Sequence, residues 1–122
     1  MSVLAKLRKR FTKPYQTITA NDVAPLLDAG AILLDVRERH EWRAGHAPTS
    51  RHVSLAELAD RHHELPAGRT IITVCRSGMR SAQAARLLAG YGWHVANVSG
   101  GMHAWVRAGL PVAAKAGIGR II

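Results

Sequence analysis

"TIITVCRSGMRSAQAARLLAG", residues 70–90, joins two segments of opposite character and holds the only cysteine of the chain between them. The β-branched run TIITV predicts a buried strand, and SAQAARLLAG predicts a helix that Gly90 closes. Cys75 therefore falls at the carboxyl end of a strand, in a turn that leads directly into a helix. A strand followed by a helix is the repeating unit of α/β sheets.

The rest of the chain repeats this alternation of short apolar runs and helical stretches. AILLDV at 31–36 and HVANV at 94–98 predict two further buried strands, and helices are predicted over residues 20–30 and 55–65. Strands buried on both faces, with helices between them, indicate a parallel sheet that is covered on both sides. The sequence therefore predicts a single α/β domain of three layers, with a central parallel sheet and helices on both faces.

Composition narrows the classes of protein and site. The 122 residues include 17 Lys and Arg against 8 Asp and Glu, a formal charge of +9, so the domain should attract anions. One cysteine can form neither an internal disulfide nor a cysteine-rich zinc site, which indicates a reducing, cytoplasmic location. We expect no metal and no cofactor. Nor does any apolar run reach the length that a bilayer span requires.

The two ends of the chain differ in character from its middle. Residues 1–14 begin with MSVLAKLRKRFTK, which has five basic residues and no acidic one, and predict a basic arm that is mobile or loosely packed in solvent. The alternative interpretations are an organelle transit peptide and a segment that binds anionic lipid or an acidic partner. The main domain is predicted over residues 15–113. Residues 114–122 form a tail, which is either frayed or docked by Ile118, Ile121 and Ile122.

The segment after Cys75 has the properties of an anion pocket. Because the chain turns from strand to helix within a few residues, its backbone N–H groups can converge on one point, and the helix adds its positive end. Gly78 gives the turn conformational freedom, and Arg76 and Arg80 add positive charge. A thiol in these surroundings should ionise more readily than a free one and act as a nucleophile. The alternative is that Cys75 is an inert buried residue at a strand end.

Three separated motifs also carry a family resemblance. They are VCRSGMRS at 74–81, LLDVRERHEWRAGHAP at 33–48 and VSGGMHAWVRAGLPV at 98–112. They resemble the active-site loop, the Asp-Val-Arg and Gly-His-x-Pro segments, and the closing Gly-Gly-x-x-x-Trp stretch of single-domain rhodaneses, the thiosulfate sulfurtransferases. The resemblance extends from Gln16 to about Val112. It implies that Cys75 takes a sulfane sulfur from a donor such as thiosulfate, becomes a persulfide, and passes the sulfur to cyanide or a thiol.

The resemblance also implies roles for the residues around Cys75. The loop backbone would cradle the persulfide, while Arg76 and Arg80 would receive the anionic donor. Behind the loop, Asp35, Arg37 and Glu41 are expected to form a bracing ion-pair network. His46 is expected to be a hydrogen-bonded turn residue rather than a general base. The predicted loop consists of Arg76, Ser77, Gly78, Met79 and Arg80.

Two alternatives stay open at this point. Rhodanese-fold phosphatases also place a cysteine thiolate and an arginine in a strand-to-helix loop, but with five residues between them. Here four residues separate Cys75 from Arg80, and the smaller loop suits a single sulfur atom. The second alternative is a persulfide carrier that hands its sulfur to one protein, with the basic arm docking an acidic partner. No nucleic acid partner is expected.

Overall fold

A five-stranded parallel sheet forms the centre of the structure, a computed structural model that describes residues 13–122. Its strands are β1 (Gln16–Ile18), β2 (Ile32–Asp35), β3 (Arg51–His52), β4 (Ile71–Val74) and β5 (Val95–Val98). They lie in the order β1-β5-β4-β2-β3, and every neighbouring pair is parallel. All four residues of each of the three central strands are buried, as expected for a sheet covered on both faces.

Helices cover both faces of the sheet, and alternate strand residues pack against each layer. The helices are α1 (Val23–Asp28), α2 (Arg39–Ala44), α3 (Leu58–Arg61), α4 (Met79–Gly90) and α5 (Gly101–Arg107), with 3-10 turns at Ala20–Asp22, Leu55–Glu57 and His62–Glu64. Ile32 and Leu34 belong to the core cluster beneath α3 and α4, whereas Leu33 belongs to the cluster beneath α1 and α5. The prediction of a three-layer α/β domain is therefore confirmed.

The structure differs from the sequence-based expectation in the shorter elements. The sequence does not predict the edge strands β1 and β3, because three and two residues give no clear period. Nor does it predict α2, because six residues make fewer than two helical turns. The helix expected over residues 55–65 is a single α-helical turn between two 3-10 turns. It ends at Leu65, which is extended at φ −74° and ψ 146°, because a residue that precedes a proline, here Pro66, disfavours the helical conformation.

The C-terminal tail is docked by its backbone. Directly before the tail, Ala113 and His46 form an antiparallel bridge, and within the tail the N–H of Arg120 donates to the carbonyl of Ala44 at 2.8 Å. Of the three isoleucines expected to hold the tail, Ile121 packs against the core, whereas Ile118 is 84% exposed. Ile122 is 48% exposed, so Ile121 alone of the three side chains packs against the core.

Two further expectations concern the ends of the chain and the membrane. Residues 1–12, which make up most of the predicted basic arm, lie outside the described residues. The domain boundaries therefore stay a prediction. Between residues 13 and 122, no helix has the length and apolar character needed to cross a membrane. In the same range, no three His, Cys, Asp or Glu side chains are grouped in a way that could hold a metal ion.

Gly45 should be essential for the docking of the tail. A Cβ atom at this position would lie 2.6 Å from the backbone nitrogen of Arg120, closer than real side chains approach. We expect Gly45→Ala to lower the free energy of unfolding by about 1 to 3 kcal/mol and to expose the tail amides to hydrogen exchange. Gly90→Ala is the matched control, because no heavy atom lies within 4 Å of its added Cβ. Equal stability of the two variants in urea denaturation would contradict this account.

Candidate active site around Cys75

Cys75 lies directly after β4, with its side chain only 1% exposed. Its Sγ atom accepts a hydrogen bond from the backbone N–H of Gly78 at 3.1 Å. The Ser81 hydroxyl lies 3.3 Å from the same sulfur and 3.2 Å from the carbonyl oxygen of Gly78. Because a hydroxyl has one proton, Ser81 can donate to one of these two acceptors at a time. The sulfur thus sits against two donors of the kind that stabilise an anion.

Gly78 makes the tight turn between β4 and α4. Its φ is 113°, in the left-handed region that side chains other than glycine rarely adopt, and α4 begins at the next residue. This conformation brings the Gly78 N–H back onto the sulfur three residues earlier. The predicted role of Gly78 in the turn therefore agrees with its geometry. Of the other loop residues, Arg76, Ser77 and Met79 are exposed around the sulfur and Arg80 is half-buried.

The first turn of α5 fixes the loop from behind. The N–H of Met102 donates to the carbonyl of Cys75 at 2.8 Å, and the N–H of His103 donates to the carbonyl of Arg76 at 3.1 Å. Since C=O and N–H point in opposite directions in a trans peptide, the N–H groups that follow these carbonyls point away from α5. Gly101 allows this close approach, because a Cβ atom there would lie 2.7 Å from the Arg76 carbonyl oxygen.

Arg80 is occupied by Glu41 on α2. Its two terminal nitrogens donate to the two carboxylate oxygens at 2.6 and 2.9 Å. The hydrogen bond from Arg80 outweighs the opposing effect of burial and lowers the pKa of Glu41 from 4.5 to about 2. In turn, the hydrogen bond to Glu41 raises the pKa of Arg80. The resemblance implied that Arg80 receives the anionic donor, but in the structure the outer edge of its guanidinium holds Glu41.

Asp35 and Arg37 form a separate ion pair that is completely buried. Nη2 of Arg37 lies 2.7 Å from Asp35 Oδ2, and both side chains are 0% exposed. The same nitrogen donates to the carbonyl of Gly45 at 2.6 Å. The expected single network therefore consists of two ion pairs that α2 connects. Arg37 binds the C-terminal end of α2, and Glu41 of α2 binds Arg80. Among the described residues, Nη1 of Arg37 is buried without a hydrogen-bond partner.

His46 belongs to the scaffold next to α2. Its Nδ1 lies 2.6 Å from the carbonyl of Trp42, and the two rings stack with centroids 3.7 Å apart. Its backbone pairs with Ala113, the residue before the tail. Since these hydrogen bonds go to α2 and to the segment before the tail, they agree with the expectation of a turn residue.

Comparison with known proteins places the chain in a family. The family model of the Rhodanese-like domain matches residues 19–108, which include Cys75 and both ion pairs. The chain belongs to this family. A crystal structure of a rhodanese-related protein from Thermoplasma volcanium is similar at a TM-score of 0.76 and 31% identity, covering 81% of this chain and 98% of that one.

Curated relatives of this rhodanese-like domain have diverse names. A sulfurtransferase of Allochromatium vinosum is 39% identical over 70% of this chain and 81% of its own length. The thiosulfate sulfurtransferase GlpE of Pseudomonas syringae is 32% identical over 75% of this chain and 87% of its own length. An HTH-type transcriptional regulator of Mycobacterium tuberculosis is 37% identical over 87% of this chain, which spans only 48% of the regulator's length.

Three polar residues beneath the loop were not predicted as part of the site. Asn97 on β5 donates through Nδ2 to the carbonyl of Gly78 at 3.3 Å. The Thr73 hydroxyl on β4 donates to Oδ1 of Asn97 at 3.2 Å, which fixes the orientation of the amide. Ser81 completes this chain of hydrogen bonds to the sulfur. The sequence held one signal for Thr73 and Asn97, since each is the one polar residue in an apolar strand, IITV or VANV. A polar side chain buried in such a strand needs a hydrogen-bond partner.

The pair of Glu41 and Arg80 should make stability depend on pH. Because the pKa of Glu41 is lowered in the fold, its carboxylate contributes stability above pH 4.5 that is lost as the pH falls through about 2. We expect Glu41→Gln to lower the free energy of unfolding by about 1 to 2 kcal/mol at pH 7 and by less than half of that at pH 3. The effect at pH 7 is moderate because the Arg80 side chain is 34% exposed and water screens the pair. Urea denaturation at both pH values measures this. Glu57→Gln is the control, because Glu57 forms an exposed pair with Arg61 and its replacement should change the free energy of unfolding little. If Glu41→Gln destabilised the protein equally at both pH values, the lowered pKa of Glu41 would be wrong.

Asn97 should control the order of the loop. Replacing it with alanine removes a buried donor from the Gly78 carbonyl, which keeps the N–H of Ala82 and the Ser81 hydroxyl. We expect hydrogen exchange of the Gly78 amide to rise about tenfold or more in Asn97→Ala, as measured by NMR. Thr73→Val keeps the amide of Asn97 but removes the group that orients it, so its effect should be smaller. Unchanged protection of Gly78 in Asn97→Ala would rule out this role.

Proposed function

We propose that this rhodanese-like domain is a sulfurtransferase that carries a sulfane sulfur on Cys75, from a donor such as thiosulfate to cyanide or a thiol acceptor. Family membership and the sulfurtransferases among its relatives support sulfur transfer as the general class of reaction. The observation that carries the proposal for this chain is the pair of donors, Gly78 N–H and Ser81 Oγ, on the Cys75 sulfur. They suit a sulfur that bears negative charge during part of the cycle.

The proposed cycle needs no redox partner. The Cys75 thiolate attacks the outer sulfur of thiosulfate, the S–S bond of the donor breaks, and sulfite leaves with the electron pair. The outer sulfur then stays on Cys75 as a persulfide. Cyanide or a thiolate attacks that sulfur, the persulfide bond breaks, and the Cys75 thiolate returns. Two half-reactions through one covalent intermediate give ping-pong kinetics.

The charged residues around the persulfide have different proposed roles. Arg76 is exposed next to Cys75, and its side chain has no ion pair among residues 13–122, so it is the side chain best placed to receive the anionic donor. Arg80 would act as a positioning residue, because its outer edge is bound to Glu41. Asp35 and Arg37 would position α2 and therefore Glu41.

The contacts of Arg80 and Ser81 argue against phosphate hydrolysis, and the Cys75 chemistry is compatible with a persulfide carrier. A phosphatase needs its loop arginine to grip the phosphate, whereas Arg80 is engaged by a carboxylate. The four-residue spacing leaves Ser81, with its hydroxyl on the sulfur, at the position of the phosphatase arginine. A persulfide carrier uses the same Cys75 chemistry with a protein thiol as acceptor. We place this chemistry in the reducing cytoplasm, where a lone thiol stays free.

Cys75→Ser tests the mechanism directly. The hydroxyl is nearly isosteric, so the melting temperature should be close to that of the wild type, but an alkoxide cannot carry a sulfane sulfur. We expect transfer from thiosulfate to cyanide to fall by on the order of a hundredfold or more. Mass spectrometry of the wild type after thiosulfate treatment should show one added sulfur, lost again on addition of cyanide and never gained by the variant. Hydrolysis of an aryl phosphate without sulfur transfer by the wild type would replace this proposal with the phosphatase.

A further inference from the structure

A cavity of about 630 Å³ lies beside α2, away from the residues that contact the Cys75 sulfur. Three parts of the chain form its walls: α2, the segment from residue 46 to β3, and the start of the tail. Arginine, lysine and histidine predominate in its lining, and no carboxylate is part of it. The lining residues are Arg39, Trp42, Arg43, His46, Ser50, Arg51, His52, Ala114 and Lys115.

The cations of this cavity carry like charges that repel one another. Arg39 and Arg43 are one helical turn apart on α2, a like-charge spacing that destabilises a helix. Arg51 and Lys115 come from other segments to the same cavity. Within residues 13–122, none of these four forms an ion pair, whereas the carboxylates of Asp35, Glu41, Glu57 and Glu64 pair with arginines elsewhere. An anion in the cavity would relieve this repulsion.

The aromatic wall of the cavity is held in one arrangement. The Trp42 ring stacks on His46 with centroids 3.7 Å apart and on His52 at 5.6 Å. One nitrogen of each imidazole is bound to a backbone carbonyl, His46 to Trp42 and His52 to Arg37, both at 2.6 Å. The indole N–H donates to Ser50. Since these groups are already ordered, a ligand would not have to order them on binding.

The cavity and Cys75 lie at the same edge of the sheet. Asp35, His52 and Val74 are the last residues of three adjacent parallel strands, so the segments that follow them meet at the carboxyl edge. The helix α2 connects the two places. Its Glu41 binds Arg80 of the Cys75 loop, and its Arg39, Trp42 and Arg43 line the cavity. A molecule seated in the cavity would therefore lie next to the structure that supports the loop.

We propose that this cavity docks an acidic segment of the protein that exchanges sulfur with Cys75, an inference that rests on the proposed function. The cavity is larger than a single oxyanion requires, and its exposed cations come from three segments, which suits several carboxylates along a peptide. Stacking of nucleic acid bases is disfavoured, because Trp42 is already stacked on His46 and His52. The sequence suggested that the basic arm docks such a partner; the cavity offers a folded site for it.

A charge-reversal experiment with the full-length chain tests this proposal. The probe is a fluorescein-labelled peptide of alternating Asp and Gly with one terminal cysteine, and its binding is followed by anisotropy. We expect Arg43→Glu with Arg51→Glu to weaken binding by about tenfold or more, since two rim charges change sign. The control pair, Arg69→Glu with Arg107→Glu, changes net charge equally at exposed positions outside the cavity and should weaken binding by no more than about threefold.

Sulfur transfer to the same peptide separates this inference from the proposed function. Turnover of thiosulfate with cyanide should be the same in both pairs and the wild type, while KM for the peptide thiol should rise only in the cavity pair. If the wild type transferred no sulfur from thiosulfate to cyanide, the proposed function would be wrong, but the binding result would still stand. Equal weakening in both pairs would overturn the docking site. The docking site would also be wrong if an RNA oligonucleotide or phosphatidylserine vesicles bound more tightly than the peptide and lost that binding in the cavity pair. The cavity would then be assigned to that polyanion.

Discussion

The carbonyl oxygens of the Cys75 loop are tied to groups behind the loop, and the rest of the site depends on this. The carbonyls of Cys75 and Arg76 accept from the first turn of α5, and that of Gly78 accepts from Asn97. With these oxygens held, the Gly78 N–H remains on the sulfur side of the turn. The closing Gly-Gly stretch is therefore part of the site as much as of the scaffold, because Gly101 lets α5 come close enough to donate.

The sequence was sufficient to predict what depends on neighbours along the chain. The strand, the turn at Gly78 and the helix after Cys75 follow from local pattern, as does the layered fold. Contacts between distant residues could not be predicted in this way. Thr73 and Asn97 are separated by 24 residues and meet only because β4 and β5 pair, and Arg80 meets Glu41 across 39 residues through a helix too short to be detected. Both contacts concern polar groups whose partners depend on the tertiary structure.

The distribution of charge in the molecule distinguishes two uses of arginine. Arg37 and Arg80 are paired with carboxylates and hold segments of the fold in place, so their charges are largely cancelled. Arg39, Arg43 and Arg51 are concentrated around one cavity without a carboxylate. The formal charge of +9 is therefore not spread evenly over the molecule. Net charge predicted an anion as ligand, but only the fold shows where these arginines gather.

The single proton of the Ser81 hydroxyl has a consequence for the speed of the proposed cycle. Its two acceptors, the Cys75 sulfur and the Gly78 carbonyl, lie at 3.3 and 3.2 Å, and the carbonyl keeps Asn97 and the Ala82 N–H as other donors. When the sulfur gains negative charge the proton can turn toward it, and when the charge leaves it can turn back. This adjustment is a rotation about one bond, which takes picoseconds to nanoseconds, whereas loop motions take nanoseconds to microseconds. The backbone around the sulfur can thus stay in one conformation through both half-reactions.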